Sequence, residues 1–94
     1  MNVVVRVPTP LRTYVDGNAK LDVDLEGGAT VGDLLDRLAT EWPALERRIR
    51  DERRTLRQHV NVFVGADNVR DLDRLATVIP AGAELVVLPA VSGG

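Results

Sequence analysis

The sequence predicts an α+β domain, in which a mixed sheet of four or five strands packs on one main helix plus a short second helix. Three observations support this prediction. Two strand-like segments open the chain, one amphipathic stretch with helix-capping chemistry follows, and two further strand-like segments come after it. With 94 residues, the chain has room for one domain only.

The first two strands are predicted to form a hairpin with a long connection. Residues 2–7 are rich in valine, and Pro8 ends that segment. Residues 20–25 alternate strictly between polar and apolar side chains, as half-buried strands do. Residues 8–18 between them carry turn chemistry, including an Asp-Gly pair, and we expect a turn there.

The main helix is predicted at about residues 30–42. Gly27-Gly28 interrupts the preceding strand, and Thr30 and Asp33 fit a capping box at the helix start. Apolar side chains then recur every three or four residues and form one stripe: Val31, Leu34, Leu35, Leu38 and Trp42. Because Pro43 cannot lie in a helix interior, we expect it to begin a second short helix.

The second half of the chain supplies the remaining strands. Residues 46–57 contain six arginines and three acids, which predicts a solvent-exposed segment. Residues 59–64 alternate and predict a strand, residues 65–68 a turn, and residues 69–79 a partly irregular connection. Residues 84–88 are the most apolar strand, as expected of a central one. A central last strand, parallel to the first across a helical crossover, defines a β-grasp fold.

Composition excludes several functional classes. The net charge of −2 and pI of about 5.3 disfavour a nucleic-acid-binding protein. The absence of cysteine excludes a disulfide scaffold, a thiolate zinc site and a cysteine nucleophile, and a single histidine excludes a histidine-rich metal site. No apolar run approaches the ~20 residues that span a bilayer. No signal peptide opens the sequence, so we expect a cytoplasmic protein without membrane contact.

No set of side chains in the sequence predicts catalysis. His59 lacks an accompanying nucleophile motif, so we interpret it as a polar strand residue rather than a general base. The glycine turn before Thr30 lacks the lysine of a phosphate-binding loop, which favours a turn plus a helix cap over an anion site. We therefore expect no enzyme, no bound cofactor and no metal.

The C-terminal residues allow two interpretations. Ser92-Gly93-Gly94 follow the last strand by only a few positions. They are either a frayed end, or a segment whose terminal Gly94 carboxylate is the reactive group. Because glycine lacks Cβ, such a tail can pass through a narrow channel and leaves the carboxylate sterically bare. We predict a domain over residues 1–90 and a flexible tail over residues 91–94, beginning at Val91.

Several short segments, spread over nearly the whole chain, form one recognisable pattern. They are Met1-Asn2-Val3, Pro8-Thr9, Leu11-Arg12, Val60-Asn61-Val62-Phe63-Val64, Val69-Arg70, Leu75-Ala76-Thr77, Ala81-Gly82 and Leu88-Pro89-Ala90-Val91-Ser92-Gly93-Gly94. The last of these is the most specific. With them the sequence resembles the ubiquitin-like sulfur carrier proteins of the MoaD/ThiS family, in particular the CysO-type carriers of actinobacterial cysteine biosynthesis.

The resemblance implies a protein that serves as a co-substrate of partner enzymes. An ATP-dependent adenylyltransferase and sulfurtransferase, MoeB/ThiF-like, would adenylate Gly94, and sulfide or a persulfide would displace AMP to leave a thiocarboxylate. A sulfur-accepting synthase, cysteine-synthase-like, would take the sulfur, and a metal-dependent peptidase would release the loaded product. Molybdopterin, thiamine or a specialised metabolite are alternative acceptors. A ubiquitin-like protein modifier and a plain interaction domain are the alternative functions.

Partner docking is expected on the outer face of the sheet, the face not covered by the main helix. Alternation along the strands places Val4, Val86 and Leu88 there, together with Phe63. An uncovered apolar face is a candidate partner surface, although the same residues would also suit partly buried strand positions. For Leu88, closeness to the tail favours docking.

Overall fold

The computed structural model describes residues 1–89, which form a five-stranded mixed sheet with helices on one face. The strands are β1 (Asn2–Arg6), β2 (Lys20–Asp24), β3 (Val60–Val64), β4 (Asp67–Asn68) and β5 (Glu84–Pro89). They lie in the order β2-β1-β5-β3-β4, with β1 and β5 parallel and all other neighbours antiparallel. The predicted β-grasp fold with a central last strand is confirmed. The tail predicted over residues 91–94 lies outside the described residues.

The opening hairpin has the register that its sequence pattern predicts. Val3 pairs with Val23 and Val5 pairs with Leu21, and all four side chains are buried. The connection is not a simple turn, however. Thr9–Val15 form a 3₁₀ helix, the first 3₁₀ helix, with Leu11 and Val15 buried beneath it. The predicted turn is present at Asp16-Gly17, where both residues have positive φ. The 3₁₀ helix before it was not predicted, because its two prolines and the Asp-Gly pair indicated only a turn.

The two α-helices begin and end at the residues with the clearest local chemistry. Helix α1 spans Val31–Glu41, and Thr30 and Asp33 form the predicted capping box, each side chain accepting the other's backbone N–H at 3.1 and 2.9 Å. Helix α2 spans Pro43–Ile49. The apolar stripe of α1 is fully buried, apart from Trp42, which is half-buried at the junction of the two helices. Within residues 1–89, no helix has the length and apolar character needed to cross a bilayer.

The long connection after β3 is more regular than its sequence pattern predicts. The predicted turn at residues 65–68 contains the two-residue strand β4, which pairs back on the end of β3. Two further 3₁₀ helices follow, Val69–Asp71 and Arg74–Ala76. Elements this short carry too few residues for a periodic signal. Tertiary contacts define the first of them instead, through the burial of Val69.

One arginine of the charged segment at residues 46–57 departs from the prediction of solvent exposure. Arg50 is only 4% exposed. Its Nε donates to Glu46 Oε1 at 2.6 Å, and its Nη2 donates to Asp36 Oδ1 at 2.9 Å. The side chain therefore links α2 to α1. The five other arginines of the segment are exposed, as expected: Arg47, Arg48, Arg53, Arg54 and Arg57.

Candidate functional site

The outer face of the sheet, opposite the helices, carries the residues predicted to dock partners. On β5, Leu85 and Val87 are fully buried in the core. Since side chains alternate along a strand, Val86 and Leu88 lie on the outer face. Leu88 is 44% exposed, one of three large apolar residues among residues 1–89 that reach this exposure, and Val86 is half-buried.

The strand register determines which of the predicted docking residues are neighbours. Val86 lies directly opposite Phe63 on β3, and Leu88 lies opposite Asn61. We call Phe63, Val86 and Leu88 the outer patch. Phe63 and Val86 are half-buried, so they form its base, and Leu88 projects beside them.

Val4 does not join the outer patch directly. It lies opposite Glu84 on β5, whereas Val86 lies opposite Arg6. Arg6 and Glu84 form an ion pair that runs between Val4 and Val86. The sequence places all four apolar residues on one face, but only the register of β1 against β5 reveals the charged pair that separates Val4 from the rest.

The Arg6–Glu84 ion pair is a fixed polar feature beside the outer patch. Two nitrogens of the Arg6 guanidinium, Nε and Nη2, donate to Glu84, and the Nη2–Oε1 distance is 3.3 Å. The hydrogen bond from Arg6 lowers the pKa of the Glu84 carboxyl and raises the pKa of Arg6. Both groups are therefore ionised at neutral pH. Sequence reasoning missed this pair because its members are 78 positions apart.

The end of β5 that precedes the predicted tail carries Leu88. Strand β5 ends at Pro89, which pairs with Val60 at the start of β3. Leu88 is thus an exposed apolar residue next to the last described residue of the chain. The predicted tail residues Val91, Ser92, Gly93 and Gly94 lie outside the described residues, so their roles stay predictions.

The two other candidate sites from the sequence carry no chemistry in this geometry. His59 is exposed and lies just before β3. The glycine turn before α1 is followed by the Thr30–Asp33 capping box, so the Asp33 carboxylate occupies the position that an anion would take. Among residues 1–89, no group of three or more histidine, aspartate or glutamate side chains is arranged to hold a metal ion.

Comparison with known proteins identifies the family to which this chain belongs. The model of the ThiS family matches residues 5–94. The sulfur carrier protein CysO of Mycobacterium tuberculosis is 33% identical over 96 residues, which cover 100% of both chains. Small archaeal modifier protein 1 of Haloferax volcanii is 40% identical over 80 residues, covering 85% of this chain and 87% of its own.

A solved structure extends the similarity to three dimensions. The crystal structure of the Amycolatopsis orientalis BexX/CysO complex contains a chain that superposes with a TM-score of 0.82 at 34% identity, covering 98% of this chain and 99% of its own. These relatives are small carriers and modifiers rather than catalysts. With the family match over residues 5–94 and the shared β-grasp architecture, this chain belongs to the ThiS family and is a ubiquitin-like carrier protein, not an enzyme.

Proposed function

We propose that this protein carries sulfur as a thiocarboxylate on Gly94. The observation that supports it most directly is the extent of the family match, which runs through residue 94, beyond the last strand of the fold. The full-length similarity to a sulfur carrier protein supports it as well. The outer patch at the end of β5 supports the proposal too, because such a carrier needs an apolar surface close to the start of its tail.

The chemistry explains why the carrier needs an ATP-dependent partner. A carboxylate is a poor electrophile because its negative charge repels a nucleophile. In the proposed cycle, a Gly94 carboxylate oxygen attacks the α-phosphorus of ATP, and pyrophosphate leaves. Sulfide then attacks the acyl carbon, the C–O bond to AMP breaks, and a thiocarboxylate results. The chain holds no cysteine, which suits a carrier whose sulfur resides on the chain end.

The geometry of the described residues suits a carrier that docks with its sheet and delivers with its tail. Five residues follow Pro89, and a fully extended chain of that length spans at most about 18 Å. A partner that covers Leu88 could therefore receive Gly94 in a site of about that depth. Bulky side chains at positions 93 and 94 would obstruct the same passage, whereas glycine does not.

For the sulfur acceptor we propose cysteine biosynthesis, with a cysteine-synthase-like enzyme as partner. The full-length similarity to CysO supports this choice. Molybdopterin, thiamine and specialised metabolites are the alternative acceptors. A second function, attachment of Gly94 to lysines of other proteins, is favoured by the 40% identity to an archaeal modifier protein.

The test is a loading assay read by intact mass. Purified protein is incubated with ATP, sulfide and the MoeB/ThiF-like adenylyltransferase of the same genome. We expect a gain of about 16 Da, the mass difference between sulfur and oxygen, for the wild type. Deletion of Gly94 should abolish the gain, because it shortens the tail by about 3.3–3.6 Å, whereas a misplacement of about 1 Å already costs on the order of a hundredfold in rate.

Controls separate the possible outcomes. Both proteins are first compared by thermal unfolding, which should be identical, since the deleted residue lies beyond the last strand. Isopeptide adducts on other proteins, without a stable 16 Da gain, would support the modifier function instead. A deletion variant that gains sulfur at the wild-type rate would refute the role of Gly94.

A further inference from the structure

The charges of this protein are unevenly distributed along the chain. Residues 46–57 contain six arginines and three acids, a net charge of +3, whereas the rest of the chain contains six cations and eleven acids, a net charge of −5. Two of these arginines are compensated: Arg50 pairs with Glu46 and Asp36, and Arg54 approaches Asp36 at 3.5 Å. The excess positive charge is therefore carried by Arg47, Arg48, Arg53 and Arg57.

Three of the remaining arginines converge on one shallow cavity. Its lining consists of Tyr14, Ala44, Arg47, Arg48 and Arg57, and its volume is about 260 Å³. We call it the arginine pocket. Within the part of the chain that the structure describes, none of these three arginines forms an ion pair with a carboxylate.

Two contacts position the side chains of Arg48 and Arg57. The Arg48 guanidinium lies over the ring of Tyr14, 4.7 Å from its centroid, a cation–π contact with the first 3₁₀ helix. Arg57 Nε donates to the carbonyl oxygen of Arg47 at 2.8 Å, near the end of α2. Positioned guanidinium groups lose less conformational entropy when they bind than free ones, and their planar donors match carboxylates.

The arginine pocket lies towards the end of the sheet where β5 ends. Because β1 and β5 are parallel and β3 is antiparallel to β5, the end of β1 and the start of β3 both lie towards the Pro89 end of β5, with Arg6 opposite Val86 and Val60 opposite Pro89. Tyr14 belongs to the 3₁₀ helix that follows β1. Arg57 precedes β3, and its carbonyl accepts the N–H of Val60, which pairs with Pro89. A protein that receives the tail therefore approaches the pocket as well.

We propose that the arginine pocket docks a short acidic segment of the enzyme that acts on Gly94. The inference rests on the proposed function, since the partner is identified as the enzyme that acts on Gly94. Charge complementarity identifies the occupant: three uncompensated guanidinium groups suit two or three carboxylates in one peptide. The excess of negative charge elsewhere on the chain favours a peptide over nucleic acid, because a phosphate backbone with a charge every ~1.7 Å would also meet the acidic remainder.

The first test measures binding to the pocket without any partner enzyme. Synthetic hexaglutamate and, as a competing polyanion, decathymidine are titrated into the full chain, and the Nε–Hε signals of its arginines are followed by NMR. The pocket variant is Arg47→Gln/Arg48→Gln. The matched control is Arg37→Gln/Arg74→Gln, which removes the same charge from two exposed arginines that do not line the pocket. It also breaks one weak contact, between Arg37 and Glu41, as the pocket variant loses one with Tyr14.

We expect hexaglutamate to shift the signals of Arg47, Arg48 and Arg57 and to bind more weakly as salt is raised. The pocket variant should bind about tenfold more weakly, a factor of about three for each exposed charge contact, and the control less than twofold. Equal weakening in both variants, absence of binding, or tighter binding of decathymidine would each overturn the proposal.

The second test uses the loading assay with the adenylyltransferase. The pocket variant should raise KM for the carrier about tenfold while kcat stays the same, and the control should change neither. A wild type that never gains sulfur would refute the proposed function, and the peptide titration would still decide on the pocket. A wild type that loads, together with a pocket variant of unchanged KM, would refute the pocket and leave the proposed function intact. Arg47→Glu, which keeps the Arg48 and Arg57 contacts, serves as a second variant if the double variant folds poorly.

Discussion

Arg50 shows how one side chain can serve structure within a segment that otherwise faces solvent. Its guanidinium is buried and donates to carboxylates on both α-helices. Burying a charge is costly unless it is paired and hydrogen-bonded, and here both requirements are met. Among residues 1–89, no buried side-chain nitrogen or oxygen lacks a hydrogen-bond partner.

Replacing Arg50 with alanine should destabilise the fold by about 3 kcal/mol. The reason is that Glu46, whose side chain is only 12% exposed, would lose its counter-charge. Urea unfolding at neutral pH measures the effect. Arg54→Ala is the matched control, because Arg54 is exposed and makes only a 3.5 Å contact with Asp36, and should cost less than about 1 kcal/mol. Equal costs for the two variants would contradict the structural role of Arg50.

The Arg6–Glu84 pair predicts a pH dependence of stability. The hydrogen bond from Arg6 lowers the pKa of Glu84 in the folded state. A lowered pKa stabilises the fold above the unfolded value of about 4.3, and that stabilisation is lost as pH falls through the folded pKa. Glu84→Gln should therefore be less stable than the wild type at pH 7, and the difference should vanish in acid. Urea unfolding at several pH values measures it, and a difference that persists below the folded pKa would argue against the ion pair as its origin.

The elements of this fold differ in how much of their definition is local. Helix α1 has an N-terminal cap, a buried stripe and a terminating proline, all between Thr30 and Pro43. Strand β4 has two residues and exists only because β3 lies beside it. The first 3₁₀ helix is intermediate, since its buried residues Leu11 and Val15 are i and i+4 but its helical geometry depends on packing against the core.

Thr30→Ala should cost about 1 kcal/mol, the usual contribution of a helix N-cap. The substitution removes the oxygen that accepts the Asp33 N–H at 3.1 Å. Thermal or urea unfolding checks the value. Thr40→Ala, at an exposed position near the other end of α1, is the control and should be neutral or slightly stabilising, because alanine favours helix. A Thr30 variant as stable as the wild type would show that the cap contributes nothing.

The whole molecule brings Leu88 of the outer patch and the last described residue, Pro89, to one end of the sheet. The last strand is central, so β5 lies between β1 and β3 rather than at an edge. Leu88 on the outer patch and the arginine pocket on the helical side lie at that same end. A partner that binds both Leu88 and the arginine pocket would make an apolar contact and a charged contact on either side of the tail.

Leu88→Ala should weaken partner docking without weakening the fold. A side chain that is 44% exposed contributes little to stability, and its loss should stay within about 0.5 kcal/mol. As a contact residue it should contribute about 1–2 kcal/mol to binding, a rise in KM of about five- to thirtyfold in the loading assay. Leu72→Ala is the matched control, since Leu72 is 45% exposed but lies on the connection after β4. Equal effects of the two substitutions on KM would exclude the outer patch as the docking site.

The sequence by itself determined the fold class and most of its elements. Alternation, capping and proline positions are local signals, so β1, β2, β3, β5 and both α-helices were predictable to within a residue or two. The same patterns placed Val4, Phe63, Val86 and Leu88 on one face. The prediction that the Gly94 carboxylate is the reactive group also came from the sequence, through the Gly-Gly ending and the family resemblance.

Only the tertiary structure decided which residues meet across the chain. The register of β1 against β5 brings Arg6 to Glu84 and separates Val4 from the outer patch. The packing of α2 on α1 buries Arg50 while its neighbours stay exposed, and the first 3₁₀ helix brings Tyr14 to Arg48. The physical reason is that such contacts join residues far apart in sequence, and periodicity reports which face a residue occupies but not which neighbour it finds there.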